Sequence, residues 1–198
     1  MISAIILAAG LSKRMELGNK LLLEKKKTPI IKITLDNIKA AKVKEIIIVL
    51  GKNSKSLKNV IEDKSVKLFF NSNYKNGISS SIKRGIEKVD NSCEGALICL
   101  ADMPSIRTST YNKIIDAFYK YKKQNIIPYF NKKKGNPVLF SKSYFKYITN
   151  ITGDVGARNL IRKNKKDFKK LTVADEGILE DIDNNEQYYN FIKDEKTD

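Results

Sequence analysis

The chain has 198 residues, of which 41% are hydrophobic and 30% are charged. This length suffices for one α/β domain with a real core, and the longest apolar runs are far shorter than the roughly 20 residues of a membrane-spanning helix. Because histidine is absent, Cys/His zinc sites, Ser-His-Asp triads and histidine general bases are excluded. The N-terminus lacks a signal-peptide pattern, so we expect a cytoplasmic protein without a membrane partner.

The basic excess of the chain raises the question of a polyanionic partner. Lys and Arg number 38 against 22 Asp and Glu, which gives a net charge of +16. The lysines are spread over nearly every segment and do not form one basic face, which favours solvated surface lysines over a nucleic-acid patch. Nucleic-acid binding is therefore the less favoured interpretation.

The first half of the chain alternates predicted strands and helices. Residues 3–8 and 45–50 are aliphatic runs after their first residues, Ser3 and Glu45, and such runs are typical of strands that are covered on both faces of a parallel sheet. The segment "PIIKITLDNIKAAK" between them has near-helical apolar spacing, with Pro29 in the first turn. The pattern continues with a helix at 54–62, a strand at 66–70, a helix at 78–89 and a strand in "GALICLADMP".

The second half has a less regular pattern. A helix at 108–122 precedes a predicted hairpin of "NIIPYF" (125–130) and "NPVLF" (136–140), and a polar tail at 194–198 is predicted to fray. The remaining predicted elements are helices at 142–148, 155–165 and 185–193 and strands near 169–173 and 178–182. These elements predict a single domain, residues 1–198, with an α/β fold: a three-layer α/β/α sandwich on a mostly parallel, Rossmann-like sheet. In such sheets, ligands bind beyond the carboxyl ends of the strands.

The first candidate site is "LAAGLSKRMELGNK", where a glycine turn follows a strand and precedes Lys13, Arg14 and Lys20. A small turn lets backbone N–H groups approach an anion, and the flanking cations can neutralise phosphate oxygens. Neither the Walker A pattern nor GxGxxG is present. The pattern favours a phosphate-binding loop, and an ordinary surface turn is the alternative.

Two further candidates are carboxylates. Asp102 directly follows an apolar strand, where it could hold Mg²⁺ against phosphate oxygens or simply cap the next helix. Asp181 and Asp183 alternate with Ile182, so they would point to one side of a strand. Asp183 with Glu186 also fits a helix cap, and a metal contact would be a second role for it.

Six segments follow one another along the chain: "LAAGLSKRM" with "NKLL", "NGISSS", "LADMP", "KGNPVLF", "GDVGAR" and "DIDNNE". In this order they resemble the molybdenum cofactor nucleotidyltransferases, a group with the glycosyltransferase-A-like, nucleotide-diphospho-sugar transferase type of fold. The likeness spans residues 4–188 and is strongest to the cytidylyltransferases, because the first loop reads "AAG" where guanylyl-transferring relatives typically read "AGG".

The resemblance implies a nucleotidyltransferase that moves CMP from CTP to the terminal phosphate of molybdopterin and releases pyrophosphate. Residues 1–105 would form the nucleotide-binding half and residues 106–193 the substrate-binding half. The implied cofactor is Mg²⁺ or Mn²⁺, and the implied partners are CTP, molybdopterin or the molybdenum cofactor, and a molybdenum hydroxylase apo-enzyme or its chaperone as recipient.

The resemblance also assigns roles residue by residue. Arg14, Lys20 and Asp102 would be the catalytic residues, Asp102 and Asp183 the metal ligands, and Ser81 the contact to the base, with an N-cap as its alternative role. The nucleotide would lie against Leu7, Ala8, Ala9 and Gly10, with Arg14 and Lys20 on its triphosphate. The pterin substrate would contact Gly135, Asn136, Pro137 and Arg158.

Two positions depart from the family pattern. Glu16 stands where relatives commonly have glycine, and a carboxylate near a triphosphate is unfavourable unless it turns to solvent or pairs with Lys13. Asn136 stands where many cytidylyltransferases have histidine, and asparagine can bind but cannot titrate near neutrality. The rival interpretations are guanylyl transfer, nucleotidyl transfer to a sugar or isoprenoid phosphate, and a basic nucleic-acid-binding protein without catalysis.

Overall fold

A computed structural model describes residues 1–12 and 14–193, so the predicted frayed tail at 194–198 lies outside the described residues. The strands in this part of the chain are Ile2–Ala8 (β1), Glu24–Lys25 (β2), Thr28–Pro29 (β3), Glu45–Leu50 (β4), Val66–Phe70 (β5), Gly95–Leu100 (β6), Asn125–Phe130 (β7), Lys133–Lys134 (β8), Val138–Ser141 (β9) and Phe168–Thr172 (β10). The α-helices are Ile30–Lys39 (α1), Ser54–Ile61 (α2), Ile78–Ile86 (α3), Thr108–Lys120 (α4), Phe145–Ile148 (α5), Arg158–Lys163 (α6) and Asn185–Lys193 (α7).

The main sheet has the strand order β10-β7-β9-β6-β1-β4-β5, with β8 paired to β7. All neighbours along this order are parallel except β9, which runs antiparallel to both β6 and β7. The short strands β2 and β3 form a separate antiparallel pair. The three-layer α/β class with a mostly parallel sheet is thus confirmed.

Helices cover both faces of the sheet, which explains the continuous apolar runs of the strands. Along β1, Ala4 and Ile6 belong to one core cluster, and Ile5 and Leu7 belong to the other. The first cluster takes buried side chains from α1, α2, α4 and α7, and the second takes them from α3, α5 and α6.

Most predicted elements lie within a few residues of the observed ones, but the strand predicted near 178–182 is wrong. A 3-10 turn, Glu176–Leu179, begins there instead, because the Asp175 side chain accepts a hydrogen bond from the Gly177 N–H at 3.2 Å. Helix α6 is also shorter than predicted and starts only after Gly156, which has a positive φ of 54°. The predicted hairpin is interrupted, since β9 makes most of its pairs with β6.

Among the described residues, no helix combines the length and the apolar composition that crossing a membrane requires.

Candidate functional site

The candidate site lies at the carboxyl ends of the neighbouring strands β1 and β6. The loop after β6 is held from three sides: the Ala101 N–H donates to the Leu7 carbonyl at 3.2 Å, and the Thr34 hydroxyl of α1 donates to the Ala101 carbonyl at 3.0 Å. From the third side, the Ile182 N–H donates to the Asp102 carbonyl at 3.0 Å. These bonds bring residues from opposite ends of the chain to one edge of the sheet.

Lys20 is positioned by the turn in which it lies. Asn19 caps the 3-10 turn Lys20–Leu22 by accepting a hydrogen bond from the Leu21 N–H at 3.1 Å, and the Leu21 side chain is buried in the core. The Ser12 hydroxyl accepts a hydrogen bond from the Lys20 N–H at 3.4 Å. The anchored turn directs the Lys20 side chain inward, where it is 11% exposed.

The Lys20 ammonium group bridges two carboxylates. Its Nζ atom donates a hydrogen bond to Asp102 and another to Asp183 at 2.7 Å. The other oxygen of Asp183 pairs with the guanidinium of Arg14 at 2.8 Å, and the Arg14 side chain is 74% exposed. The structure therefore brings together Arg14, Lys20, Asp102 and Asp183, all four of which the sequence singled out.

Electrostatics keep Lys20 and Asp183 charged. Burial by itself lowers the pKa of Lys20, but the negative charge of Asp102 and the hydrogen bonds outweigh it, so the pKa lies above its usual value. Burial likewise disfavours the charged form of Asp183, yet the hydrogen bond from Lys20 leaves its pKa lowered. Burial and the charges of Asp183 and Asp102 raise the pKa of Asp181. The cluster thus contains more negative charge than its single buried ammonium neutralises.

The carboxylates fit a divalent cation that keeps open positions. Since one Nζ atom is within hydrogen-bond reach of both Asp102 and Asp183, a single cation can also reach both. Within residues 1–12 and 14–193, no group of three His, Cys, Asp or Glu side chains is arranged to hold a metal. A cation here would complete its shell with phosphate oxygens and water, as Mg²⁺ commonly does.

The four residues predicted to lie against the nucleotide differ in exposure. Leu7 and Ala8 are buried in the sheet. Ala9 is buried against Gly51, since a Cβ added at Gly51 would be 2.7 Å from the Ala9 carbonyl oxygen. Gly10 is exposed, and no atom of the described residues other than its chain neighbours lies within 4 Å of where its Cβ would be. Open space for a ligand therefore begins at Gly10, and contacts of the three preceding residues would be backbone contacts.

Glu16 contacts the start of α7. Its carboxylate is exposed and accepts a hydrogen bond from the Asn185 side chain at 3.3 Å. The alternative partner, Lys13, lies outside the described residues. A hydrogen bond to the start of α7 accounts for an acidic residue in this loop.

Sequence reasoning missed Asn71, a buried amide beneath the start of α3. Its side chain donates to the hydroxyls of Ser80 at 2.9 Å and Ser81 at 3.0 Å. Ser81 is buried as well, and its contact to a base stays a prediction. Asn71 directly follows β5, the same kind of position that marked Asp102 after β6, and that signal could have found it.

A cavity of about 550 Å³ adjoins these residues at the end of β5. Its lining includes Asn71 and the two serines that precede Ser81 in the chain. The hydroxyl of Ser79 is buried and has no hydrogen-bond partner among the described residues. The cavity can therefore offer neutral hydrogen-bonding groups to a polar ligand.

The predicted acceptor contacts fall into two places. Gly135 packs against the 176–179 turn so closely that a Cβ would be 2.5 Å from the Ile178 carbonyl oxygen, and the Asn136 N–H donates to that same oxygen at 2.9 Å. Pro137 is buried next to them. Arg158 belongs to the other place, because it lines a second cavity of about 270 Å³ beside α6.

The "GDVGAR" segment has a structural role at the N-terminus of α3. The Asp154 carboxylate accepts a hydrogen bond from the Ile78 N–H at 3.1 Å, which satisfies a free N–H of the first helical turn. Gly77, with φ of 86°, allows this approach, since a Cβ there would be 2.7 Å from the Gly153 backbone.

A family model described as MobA-like NTP transferase domain matches residues 4–168. The chain belongs to this family. It is 27% identical to the purine catabolism protein PucB of Bacillus subtilis, over 93% of this chain and 92% of that protein. It is 21% identical to the nicotine blue oxidoreductase of Paenarthrobacter nicotinovorans, over 96% of both chains.

Solved structures show the same fold. Rv0371c of Mycobacterium tuberculosis superposes with a TM-score of 0.88 at 23% identity, covering 98% of this chain and 97% of that one. The Rv0371c complex with manganese has a TM-score of 0.83 at 22% identity, over 96% and 97% of the two chains. A nucleotidyl transferase from Methanothermobacter thermautotroptrophicus has a TM-score of 0.81 at 19% identity, over 96% and 95%.

Proposed function

We propose that the protein transfers CMP from CTP to the terminal phosphate of molybdopterin, forming molybdopterin cytosine dinucleotide. Membership of the MobA-like family supports nucleotidyl transfer, and the "AAG" loop favours CTP. The observation that carries the proposal is the bridge of Lys20 between Asp102 and Asp183, beside Arg14, at the carboxyl edge of the sheet. This edge is where open α/β sheets bind their ligands.

In the proposed reaction, an oxygen of the acceptor phosphate attacks the α-phosphorus of CTP. A phosphorus–oxygen bond forms there, the bond to the bridging oxygen breaks, and pyrophosphate leaves with the bonding electrons. The acceptor phosphate is already anionic near neutral pH, so a chain without histidine needs no general base. What the transfer requires is orientation and neutralisation of the phosphates, which Lys20 and Arg14 supply as charged side chains.

Asp102 and Asp183 would hold a divalent cation, Mg²⁺ or Mn²⁺, with the CTP phosphates as further ligands. When bound, such an ion neutralises developing charge on the phosphates. The structural relative that was solved with manganese supports a divalent ion in this fold. The backbone of Leu7, Ala8, Ala9 and Gly10 would lie along the nucleotide, and Ser81, held by Asn71, would contact the base.

The acceptor would contact Gly135, Asn136, Pro137 and Arg158. The close packing of Gly135 on the 176–179 turn fixes the backbone at Asn136, so that its amide can present hydrogen-bonding groups without titrating. A molybdenum hydroxylase apo-enzyme, or its chaperone, would receive the product.

The experiment that tests the proposal follows transfer of label from α-labelled CTP and α-labelled GTP to molybdopterin, side by side. The expected result is a labelled dinucleotide from CTP, with unlabelled pyrophosphate. Lys20→Met should abolish most transfer, whereas Lys32→Met, an exposed lysine on α1, should leave it near the wild-type rate. Equal or faster transfer from GTP would refute the cytidylyl assignment.

The rival acceptors and ligands are separated by thermal shifts. CTP, GTP, UTP and ATP are each added with Mg²⁺, and the preferred nucleotide stabilises the fold most by mass action. If the protein consumed a sugar phosphate or an isoprenoid phosphate in a nucleotide-dependent way, and did not consume molybdopterin, that phosphate would be the acceptor. Steeply salt-dependent binding of DNA or RNA, without any nucleotide response, would support the non-catalytic alternative.

A further inference from the structure

The first turn of helix α7 is fixed by a reciprocal pair of hydrogen bonds. The Asn184 side chain accepts a hydrogen bond from the Gln187 N–H at 2.9 Å, and the Gln187 side chain accepts one from the Asn184 N–H at 3.1 Å. This is the capping-box arrangement, in which two N–H groups at the start of a helix are satisfied at once. The cap predicted for Asp183 with Glu186 is therefore wrong by one residue.

The shift of the cap by one residue leaves the Asp183 carboxylate to the candidate site. One of its oxygens accepts from Lys20 at 2.7 Å, and the other pairs with Arg14 at 2.8 Å. A residue that caps a helix uses a side-chain oxygen on a backbone N–H of the first turn. Because Asn184 has that role here, both oxygens of Asp183 bind cations.

Gln187 also reaches the backbone of Asp183. Its side-chain oxygen accepts a second hydrogen bond, from the Asp183 N–H at 2.7 Å, which is shorter than the bond from Asn184. An amide oxygen has two lone pairs, so one Gln187 side chain can hold these two consecutive N–H groups. This contact fixes the stretch of backbone from which the Asp183 carboxylate extends.

Contacts outside the charged cluster anchor helix α7. The Tyr188 hydroxyl donates a hydrogen bond to the Glu24 carbonyl of β2 at 2.8 Å. The Phe191 ring is buried, and the Lys25 ammonium lies 4.8 Å from its centre. These contacts join α7 to the strand pair that directly follows the turn of Lys20. The helix that carries Gln187 is thus packed on the segment that carries Lys20.

We propose that Gln187 is a positioning residue, whose side chain holds the Asp183 carboxylate where it meets Lys20, Arg14 and a divalent cation. The bonds of its side-chain oxygen go to backbone N–H groups, so Gln187 acts on the site through Asp183. Removing a partner that orients a metal ligand lowers metal affinity or activity by roughly 10- to 100-fold. The inference rests on the proposed function, because Asp183 is a metal ligand only there.

The test compares Gln187→Ala with Asn184→Ala, which removes the other half of the same capping box. Both variants weaken the start of α7, so urea unfolding should show similar losses of stability. Only Gln187→Ala releases the Asp183 N–H, because the backbone bonds to the Gln187 oxygen remain possible in Asn184→Ala.

The deciding readout is the affinity of the full chain for Mn²⁺ alone, measured from the electron paramagnetic resonance signal of the unbound ion. The affinity should fall about 10-fold or more in Gln187→Ala and less than about 2-fold in Asn184→Ala. Gln187→Glu keeps an acceptor for the two N–H groups and should retain at least about half of the wild-type affinity.

A second measurement follows the carboxylate itself, without metal or turnover. In carbon spectra of the aspartate carboxyl groups, the Asp183 signal is the one that Asp183→Asn removes. This signal should shift in Gln187→Ala and stay in place in Asn184→Ala, because only the first variant loses the contact to the Asp183 N–H.

Equal losses of Mn²⁺ affinity in the two alanine variants would overturn the proposal, because the capping box would then only stabilise the helix. An Asp183 signal or a Mn²⁺ affinity that is unchanged in Gln187→Ala would overturn it as well. If the wild type bound no Mn²⁺, the metal role of Asp183 in the proposed function would fail, and the carboxyl signal would still decide whether Gln187 positions Asp183. Absence of CMP transfer would refute the transfer reaction and leave both readouts unaffected.

Discussion

Asp102→Asn should separate activity from stability. The substitution keeps the size of the side chain and an oxygen that can accept from Lys20, but it removes one negative charge from the site. If Asp102 holds the phosphates through a cation, turnover should fall by at least ~10²-fold, the scale of losing one preorganised charge contact. The free energy of unfolding should change little.

The small effect on stability follows from the charges of the cluster. Removing the carboxylate weakens one charge-assisted hydrogen bond of Lys20, a loss of about 1.5–3 kcal/mol if nothing compensated. Lys20 keeps its 2.7 Å bond to Asp183. Burial raises the pKa of Asp181, and repulsion from the charges of Asp183 and Asp102 raises it further. The substitution relieves part of this repulsion. We therefore expect the free energy of unfolding to change by less than about 1 kcal/mol.

The assay combines CMP transfer at saturating Mg²⁺ or Mn²⁺ with urea unfolding of the same preparations. Asp116→Asn is the matched control, because Asp116 makes the same kind of ion pair, with Lys42 at 2.9 Å, on an exposed surface. The control should change neither turnover nor stability appreciably. Near-wild-type turnover of Asp102→Asn at saturating divalent ion would refute the role of Asp102, and so would a loss of activity that merely follows unfolding.

Urea unfolding of three further variants tests contacts that stabilise the sheet and helix α3. Burial by itself disfavours the charged form of Glu45, but the hydrogen bond from Lys67 at 2.7 Å leaves its pKa lowered. The free energy of unfolding of the wild type should therefore fall below about pH 5, and that of Glu45→Gln should fall less over the same range. Gly77→Ala should destabilise by at least about 1 kcal/mol, because φ is positive and a Cβ would be 2.7 Å from Gly153; an unchanged midpoint would contradict the observed packing. Asn71→Ala should cost about 1–3 kcal/mol by leaving buried groups unpaired, and a neutral result would exclude Asn71 as the support of α3.

The layers of the fold were predictable because the signals are local. A run such as residues 46–50 is apolar throughout only if both faces of the strand are covered, and β4, Glu45–Leu50, contains it in the structure. The strand predicted near 178–182 failed for a tertiary reason. Asp175 is buried and accepts hydrogen bonds from the Thr110 hydroxyl and the Arg107 N–H, so it ties that segment to the start of α4. Alternation of apolar residues cannot reveal such a tie.

The site was predictable where it depends on sheet order and was not where it depends on long-range contacts. Lys20 and Asp102 follow strands that are neighbours in the sheet, so their meeting follows from the parallel fold. The approach of Asp183 comes with a backbone bond, from the Ile182 N–H to the Asp102 carbonyl, between segments about eighty residues apart. The carboxylate of Asp154 is a further case, since only the folded chain brings it to the N-terminus of α3.

The dispersed positive charge leads to one last prediction, on salt. At a net charge of +16, self-repulsion opposes the compact state, so screening by NaCl should raise the free energy of unfolding. The buried pair of Lys20 is screened far less than exposed pairs such as Lys42–Asp116 and contributes little to this change. At equal ionic strength, inorganic phosphate should stabilise the wild type more than chloride does. That excess should shrink in Arg158→Gln/Arg162→Gln, because no carboxylate in the described part of the chain pairs with these arginines. A stability that falls as NaCl is added would show that surface ion pairs outweigh the repulsion, and an undiminished phosphate excess in the variant would place anion binding elsewhere.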